Sequence, residues 1–328
     1  MRFFRLLLFV LLVLVLSPLW MLGLVAYVVR LKRYNQPAGI SGTAYEPFMN
    51  RVLAHGMGAR NDPAAYDLAP ALPAFTPLVF QLTIRPMIAA SRVSGYQPVM
   101  LCGPVEHPAT LSMFMPLRND FYDRAFAEGC AASDQVVLLG AGWDTRSYAE
   151  GSSGAARIFE VDTAATQAAK IAALQRAGID HGHVTFVETD FNQQAWWDAL
   201  AASDFDPGKR TLVIWEGVTM YLPEQAVRET LAAVAGFGAG SRIAFDYFSR
   251  EFIDDEGGYR IIAAYAKWAI KLTYGERFVF GIPLRHAGRD GVAALLESEG
   301  LVLTEFESIG TPGGLSAVGA FACGEKSA

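Results

Sequence analysis

The chain has 328 residues, with 27 Lys and Arg against 33 Asp and Glu, for a formal charge of −6. That length can bury a full core in one large domain or two smaller ones. The acidic balance argues against nucleic acid as the main partner, because phosphate neutralisation needs clustered basic side chains. Cys102, Cys130 and Cys323 lie far apart and form no CxxC, which argues against a disulfide framework or a metal site and for buried thiols.

Hydrophobic residues make up 52% of the chain, and much of the excess lies at the N-terminus. Leu6 to Val29 reads LLLFVLLVLVLSPLWMLGLVAYVV, with no charged residue. As a helix this stretch would span roughly 36 Å, enough to cross a bilayer with some tilt. Residues 1–33 are therefore expected to form a single-pass transmembrane anchor. Arg2 and Arg5 before the run also allow a cleaved signal peptide, although the run is long for one and no A-x-A site closes it. Arg2 and Arg5 on one side face Arg30, Lys32 and Arg33 on the other, so the flanks set orientation poorly. Removing these five from the net charge of −6 leaves a formal −11 on the remainder.

From Tyr34 to about Pro116 the chain is rich in Pro, Gly and Ala, and its prolines allow only short helices. FMNRVLAHGMG and PLVFQLTIRPMIAASRV carry helical apolar spacing, so residues 34–125 are expected to form a helical cap. PLRNDFYDRAFAEG then reads as a helix leading into a first strand. From Gln135 onward, short apolar runs alternate with amphipathic helices. VVLLG, RIFEVD, HVTFVETD, TLVIWEG and SRIAFDYF are the strands; TAATQAAKIAALQRAG, QQAWWDALA and PEQAVRETLAAVAGF are the helices. This alternation predicts an α/β fold, a Rossmann-like and mostly parallel sheet with helices on both faces, over 126–328. Ligands of such sheets bind at the carboxyl ends of the strands.

The first strand runs into LLGAGWDTRSY. A dinucleotide site wants G-x-G-x-x-G, the third glycine packing helix on strand beside a pyrophosphate. Gly140 and Gly142 fill the first two positions, but Thr145 stands at the third. S-adenosylmethionine carries no phosphate; it needs close backbone approach and an acid for its ribose hydroxyls. Asp162, ending RIFEVD, lies twenty residues after Gly142, the usual distance for such an acid. An NAD enzyme would want the same acid, so this spacing alone does not discriminate.

LLGAGWDTRSY, IFEVD, ETDF, WEGVTMYL and YGERFVFGIP together resemble the ordered motifs of the leucine carboxyl methyltransferase family, a branch of the class I S-adenosylmethionine-dependent methyltransferases. The resemblance runs from about Leu117 to the C-terminus; the N-terminal apolar segment is not part of the family pattern. It implies S-adenosyl-L-methionine as cofactor and assigns roles residue by residue. Arg118 matches the arginine that forks onto the cofactor's methionine carboxylate. Gly140 and Gly142 match the close turn, and Asp162 accepts from the ribose hydroxyls. Asp190 accepts from the adenine amino group, with Phe191 near the ring. Glu216 faces the cofactor's amino group, and Tyr221 sits close to the methyl, as the catalytic candidate. No metal ligand is expected.

Other notable residues read more simply. Asp144 and Arg146 suit a loop-bracing pair, and Trp143, Trp196 and Trp197 suit packing. His107, His181, His183 and His286 are given no catalytic role. Methyl transfer from a sulfonium is an in-line displacement helped by alignment and water exclusion. A carboxylate acceptor is already ionised at neutral pH and needs no base, whereas a hydroxyl would need one. The motifs bring no His or Lys to the transfer site, which favours a carboxylate or an acidic hydroxyl. An insertion at about 249–280 contains IIAAYAKWAIKL, expected as a lid helix with its apolar face inward, or alternatively a lipid-facing surface. With the apolar cap and anchor, this points to a small and possibly lipid-like substrate. The methyl donor is cytosolic, so the domain after the anchor is expected on the cytoplasmic side. Two alternatives stay open: a membrane-tethered cofactor-binding module without turnover, and an NAD(P)-dependent oxidoreductase.

Overall fold

The computed structural model describes residues 2–103, 109–149, 154, 156–189, 191, 195–285, 287–311 and 317–326. In chain order the helices begin with α1 (Arg2–Arg30), α2 (Tyr45–Gly56), α3 (Pro63–Leu68), α4 (Pro77–Ser94), α5 (Val99–Cys102) and α6 (Phe114–Ala132). They continue with α7 (Ala164–Ala177), α8 (Trp196–Ala201), α9 (Glu224–Ala235), α10 (Arg250–Ile253), α11 (Arg260–Tyr274) and α12 (Gly288–Ser298). The strands are β1 (Gln135–Leu139), β2 (Arg157–Asp162), β3 (Val184–Glu188), β4 (Thr211–Trp215), β5 (Arg242–Phe248), β6 (Leu301–Ile309) and β7 (Gly319–Lys326). The chain divides into two compact units. One comprises Met1–Pro104, Gly142–Glu150 and Ala164–His181; the other comprises Val105–Ala141, Gly151–Thr163 and Gly182–Ala328.

The first unit is helical. Local chemistry sets its helix ends. Asp62 caps α3 by accepting from the Ala65 amide, Thr76 caps α4 by accepting from the Val79 amide, and Gly95 closes α4 at φ 65°. α1 lies in a helical span, Arg2–Ala38, that is long and apolar enough to cross a membrane, with a mean hydropathy of 2.7 over an 18-residue stretch. It runs antiparallel to α4 with one face packed against it. A Cβ added at Gly23 would lie 2.6 Å from Thr83 Cγ2, so only glycine permits that approach. Further along, the rings of Phe9 and Tyr96 stand 5.3 Å apart. Toward its C-terminus, Tyr27 packs on Phe75 and Tyr45, and Arg30 Nε donates to the Pro73 carbonyl at 2.9 Å. The opposite face, with Leu7, Leu11, Leu14 and Leu22, is exposed.

The second unit holds the Rossmann-like sheet. Its seven strands run in the order β3-β2-β1-β4-β5-β7-β6. β3 through β5 are mutually parallel, while β7 pairs antiparallel with β5 and β6. Side-chain alternation gives the sheet two apolar faces. Val137, Leu139, Val213, Trp215, Ile243 and Phe245 meet α8, α9 and α12 on one face. On the other lies α6, with Gly129 close against Leu212 and Phe121 against Phe321. Helices cover both faces, as the strand and helix alternation implies. β6 and β7 were not among the predicted strands. LVLTEFESI mixes apolar and charged residues at the sheet edge, and GAFACGEK is too small and glycine-rich to read as a strand from composition.

Two expectations need correction. The apolar stripe of α11 does not face inward. Ile261, Tyr265, Trp268 and Leu272 are all more than half exposed, and only Ala263 and Ile270 are buried. Periodicity shows that a helix has an apolar face but not where that face points. The thiols are all free, but only Cys323 is fully buried, Cys102 and Cys130 being half-buried.

Candidate functional site

Three parallel strands of the second unit end side by side, and each end carries one of the expected residues. After β1, Gly140 takes φ +70° and donates its N–H to Val161 O at 2.8 Å, turning the chain back over the end of β2. A Cβ at Gly140 would come within 2.8 Å of Val218 Cγ2, so both conformation and space demand glycine there. At the end of β2, Asp162 is buried, and its Oδ1 accepts from the Thr163 amide at 2.6 Å. Its main-chain carbonyl accepts from the Thr189 amide at the end of β3. Phe191 is half-buried against the apolar core beneath the sheet. Asp190 lies outside the described residues, as do His107 and His286.

At the end of β4, Glu216 meets Arg118 from α6. Arg118 Nε donates to Glu216 Oε1 at 2.8 Å, and both side chains are about nine-tenths buried. The residues are 98 positions apart, so only the fold brings them together. Gly217, at φ +70°, makes room for the guanidinium, because a Cβ there would lie 2.0 Å from an Arg118 terminal nitrogen. Tyr221 follows on the single turn Thr219–Tyr221, its ring 5.5 Å from that of Phe278 in the YGERFVFGIP segment.

The sequence reading did not single out the group behind this pair. Asp246, on β5, is buried, and its Oδ1 accepts from the Gly217 amide at 2.6 Å and from the Tyr122 hydroxyl at 2.8 Å. Its Oδ2 lies 3.9 Å from Arg118 Nη1. Burial disfavours the Arg118 charge, but Asp246 and Glu216 outweigh that and raise its pKa above the ordinary arginine value. Burial, then the same two carboxylates, push the Tyr122 phenol well above its usual range. A polar residue inside the apolar pattern of RIAFDYF was the available signal, since a buried acid needs partners.

Gly142 and the residues after it belong to the first unit. Gly142 takes φ +43°, and Trp143 is fully buried with its ring 5.2 Å from that of Tyr45. Asp144 and Arg146 form the expected brace. Asp144 accepts from the Arg146 amide at 2.7 Å and pairs with the Arg146 guanidinium, and Arg51 Nη1 adds a bond at 2.9 Å. Thr145 shows why no third glycine is needed: its hydroxyl donates to Asp62 at 3.0 Å and accepts from Arg51 at 3.0 Å. Burial raises the Asp62 carboxyl, but Arg51 and Arg60 outweigh it and hold the pKa at about 2. Among the described residues, no cluster of His, Cys, Asp or Glu could hold a metal ion.

Residues 98–235 match the model of the leucine carboxyl methyltransferase family, in agreement with the resemblance carried by the motifs. All eight residues assigned from that resemblance fall inside the matched segment. A putative S-adenosyl-L-methionine-dependent methyltransferase of Streptomyces avermitilis is 39% identical over 152 residues, covering 45% of this chain and 53% of the relative. A protein of the same description from Frankia alni is 36% identical over 138 residues, covering 42% of this chain and 47% of the relative. The chain thus spans about half the length of these relatives. Among solved structures, an O-methyltransferase family protein from Burkholderia thailandensis superimposes with a TM-score of 0.44 at 15% identity, covering 66% of this chain and 58% of that one. Magnesium protoporphyrin IX methyltransferase from Synechocystis, with bound S-adenosylmethionine, gives 0.40 at 12% identity, covering 65% and 79%.

Proposed function

We propose that the chain is an S-adenosylmethionine-dependent methyltransferase whose cofactor pocket lies at the carboxyl ends of β1, β2 and β4. The observation that carries this reading is the buried Arg118–Glu216 pair. An amino-acid moiety bears a carboxylate and an ammonium one carbon apart. A guanidinium touching a carboxylate presents the complementary pair of charges at matching spacing, and the guanidinium forks onto two oxygens. The Gly140 turn, which has no room for a Cβ, would bring the backbone close to the donor, and the buried Asp162 supplies an acceptor for vicinal hydroxyls. Asp190 and Phe191 would take the adenine end.

When bound, the cofactor supplies a methyl group on a positively charged sulfur. The chain's own residues align it, exclude water and hold the acceptor in line. Tyr221 stands after Glu216 and is the side chain we assign beside the transferred methyl. The acceptor we infer is a carboxylate or an acidic hydroxyl, which needs no strong base at neutral pH. Two exposed apolar surfaces support a small amphiphilic substrate and contact with a membrane: the outer face of α1 and the Tyr265 and Trp268 stripe of α11. In this reading α1 anchors the chain, and the domain after it works on the cytoplasmic side.

Thermal shift of the detergent-solubilised chain with S-adenosylmethionine, its demethylated product and NADH tests the pocket. Stabilisation by the first two is expected, and Asp162→Ala should weaken donor binding by about 2–3 kcal/mol through lost charge-assisted hydrogen bonds. Stabilisation by NADH alone would overturn the reading in favour of an oxidoreductase. A screen of membrane and cytosolic extracts with radiolabelled donor would then identify the acceptor; binding without any labelled product would point to a module lacking turnover.

A further inference from the structure

Resting on the pocket just described, we infer that Asp246 is a specificity-determining residue: it sets the formal charge behind the pocket to −1, and so favours a cationic donor over its uncharged product. Among the described residues the buried cluster contains one guanidinium, Arg118, and two carboxylates, Glu216 and Asp246. One negative charge is therefore in excess among them. Asp246 is 2% exposed, and the roles of its two oxygens differ. Oδ1 is held by Tyr122 and the Gly217 amide, which fixes the carboxylate in the sheet. Oδ2 accepts no hydrogen bond and lies 3.9 Å from Arg118 Nη1, at ion-pair distance but beyond hydrogen-bond reach. A buried carboxylate oxygen left in this state is costly to the fold.

The cost has a use. The methyl donor carries a carboxylate, an ammonium and a sulfonium, for a net charge of +1; after transfer the sulfonium becomes a neutral thioether and the net charge is zero. A cluster at −1 attracts the first and is indifferent to the net charge of the second. With water excluded, one charge at a few ångströms is a substantial interaction. Asp246 touches neither species in this account. It acts through Arg118 and through the field of its own charge, as a positioning residue.

The test is calorimetric titration of the full chain with S-adenosylmethionine and with S-adenosylhomocysteine, for the parent and for Asp246→Asn. Asparagine keeps an oxygen for Tyr122 and Gly217 and removes the charge, its amide nitrogen taking the place of Oδ2 opposite Arg118. Donor affinity is expected to fall by about tenfold, product affinity to change little, and the ratio of the two to shift accordingly. Tyr122→Phe, which keeps the charge, should leave the ratio where it is. If Asp246→Asn does not fold, Tyr122→Phe/Asp246→Ser removes the same charge and leaves no phenol unpaired, with Tyr122→Phe as its reference. A parallel loss for both ligands, or an unchanged ratio, would overturn the inference and leave the pocket assignment intact. A folded parent that binds neither ligand would overturn both.

Discussion

Each unit of this protein buries an arginine between two carboxylates, and the two clusters differ in what they leave over. In the first unit Arg51 joins Asp62 and Asp144, with Arg60 and Arg146 added, so three guanidiniums face two acids. Asp62 accepts from Arg51, Arg60, Thr145 and the Ala65 amide, and Asp144 from Arg51 and from Arg146 through both amide and side chain. In the second unit, among the described residues, a single guanidinium faces Glu216 and Asp246, the Asp246 Oδ2 accepts no hydrogen bond, and Gly217 makes room for the guanidinium beside it. The residue types are the same. The first cluster has guanidiniums in excess and holds a loop in place, whereas the second has carboxylate in excess at a strand end and is suited to a cationic ligand.

The largest expected effects separate the two arginines by observable. Arg51→Ala takes one of two guanidiniums from each of two buried carboxylates and is expected to destabilise the fold by about 3–5 kcal/mol, the usual consequence of breaking a buried ion pair from one side. Arg118→Ala takes the guanidinium from Glu216 and the buried Asp246 and should destabilise by a similar amount, but it alone should also lose donor affinity, because its guanidinium is the group that meets the ligand carboxylate. Urea unfolding and calorimetry on both variants check this. If Arg118→Ala proved the more destabilising, and bound the donor like the parent, the contrast between brace and pocket would be broken.

Most of the sheet was legible because VVLLG, RIFEVD and TLVIWEG are short apolar runs bounded by turn residues, and such runs have few alternatives to buried parallel strands. The site was legible where a backbone need or a strand end marked it, as at Gly140, Asp162 and Glu216. It was not legible at Asp246. An acid inside RIAFDYF looks like an interruption of the strand until Tyr122, 124 positions away, is folded against it. Burial direction was equally hidden. α1 and α11 both read as apolar helices, and composition does not reveal that α1 packs one face on α4 while α11 turns its aromatic stripe outward.

A smaller effect distinguishes the clusters by pH. Folding lowers the Asp62 carboxyl from 3.8 to about 2 because the paired guanidiniums outweigh burial. A group with a depressed folded-state pKa contributes stability that is fully present above its unfolded value and is lost as pH falls through the folded one. Asp62 should therefore contribute about 2 kcal/mol above pH 4, at about 1.4 kcal/mol per pKa unit, and lose it between roughly pH 4 and pH 2. Urea midpoints measured across that window for the parent and for Asp62→Asn check the assignment. The parent curve should fall more steeply, and curves of equal slope would remove Asp62 from the account of the brace.

The smallest effect is the most discriminating, because its sign is opposite in the two clusters. Neutralising a carboxylate of the first cluster adds to its excess of guanidiniums, so Asp62→Asn should destabilise the protein at neutral pH. Neutralising Glu216 removes charge that is already in excess. Glutamine at 216 keeps an oxygen for Arg118 Nε, and the guanidinium still has Asp246 at ion-pair distance. Without ligand, Glu216→Gln is therefore expected to be neutral or to stabilise by up to about 1 kcal/mol, as is usual when strain kept for binding is relieved. The same substitution should weaken donor binding, because the ligand ammonium loses its carboxylate partner. Urea midpoints without ligand and calorimetry with the donor read the two halves separately. If Glu216→Gln destabilised the unliganded protein as much as Asp62→Asn does, the second cluster would be a brace like the first, and its excess charge would have no bearing on ligand choice.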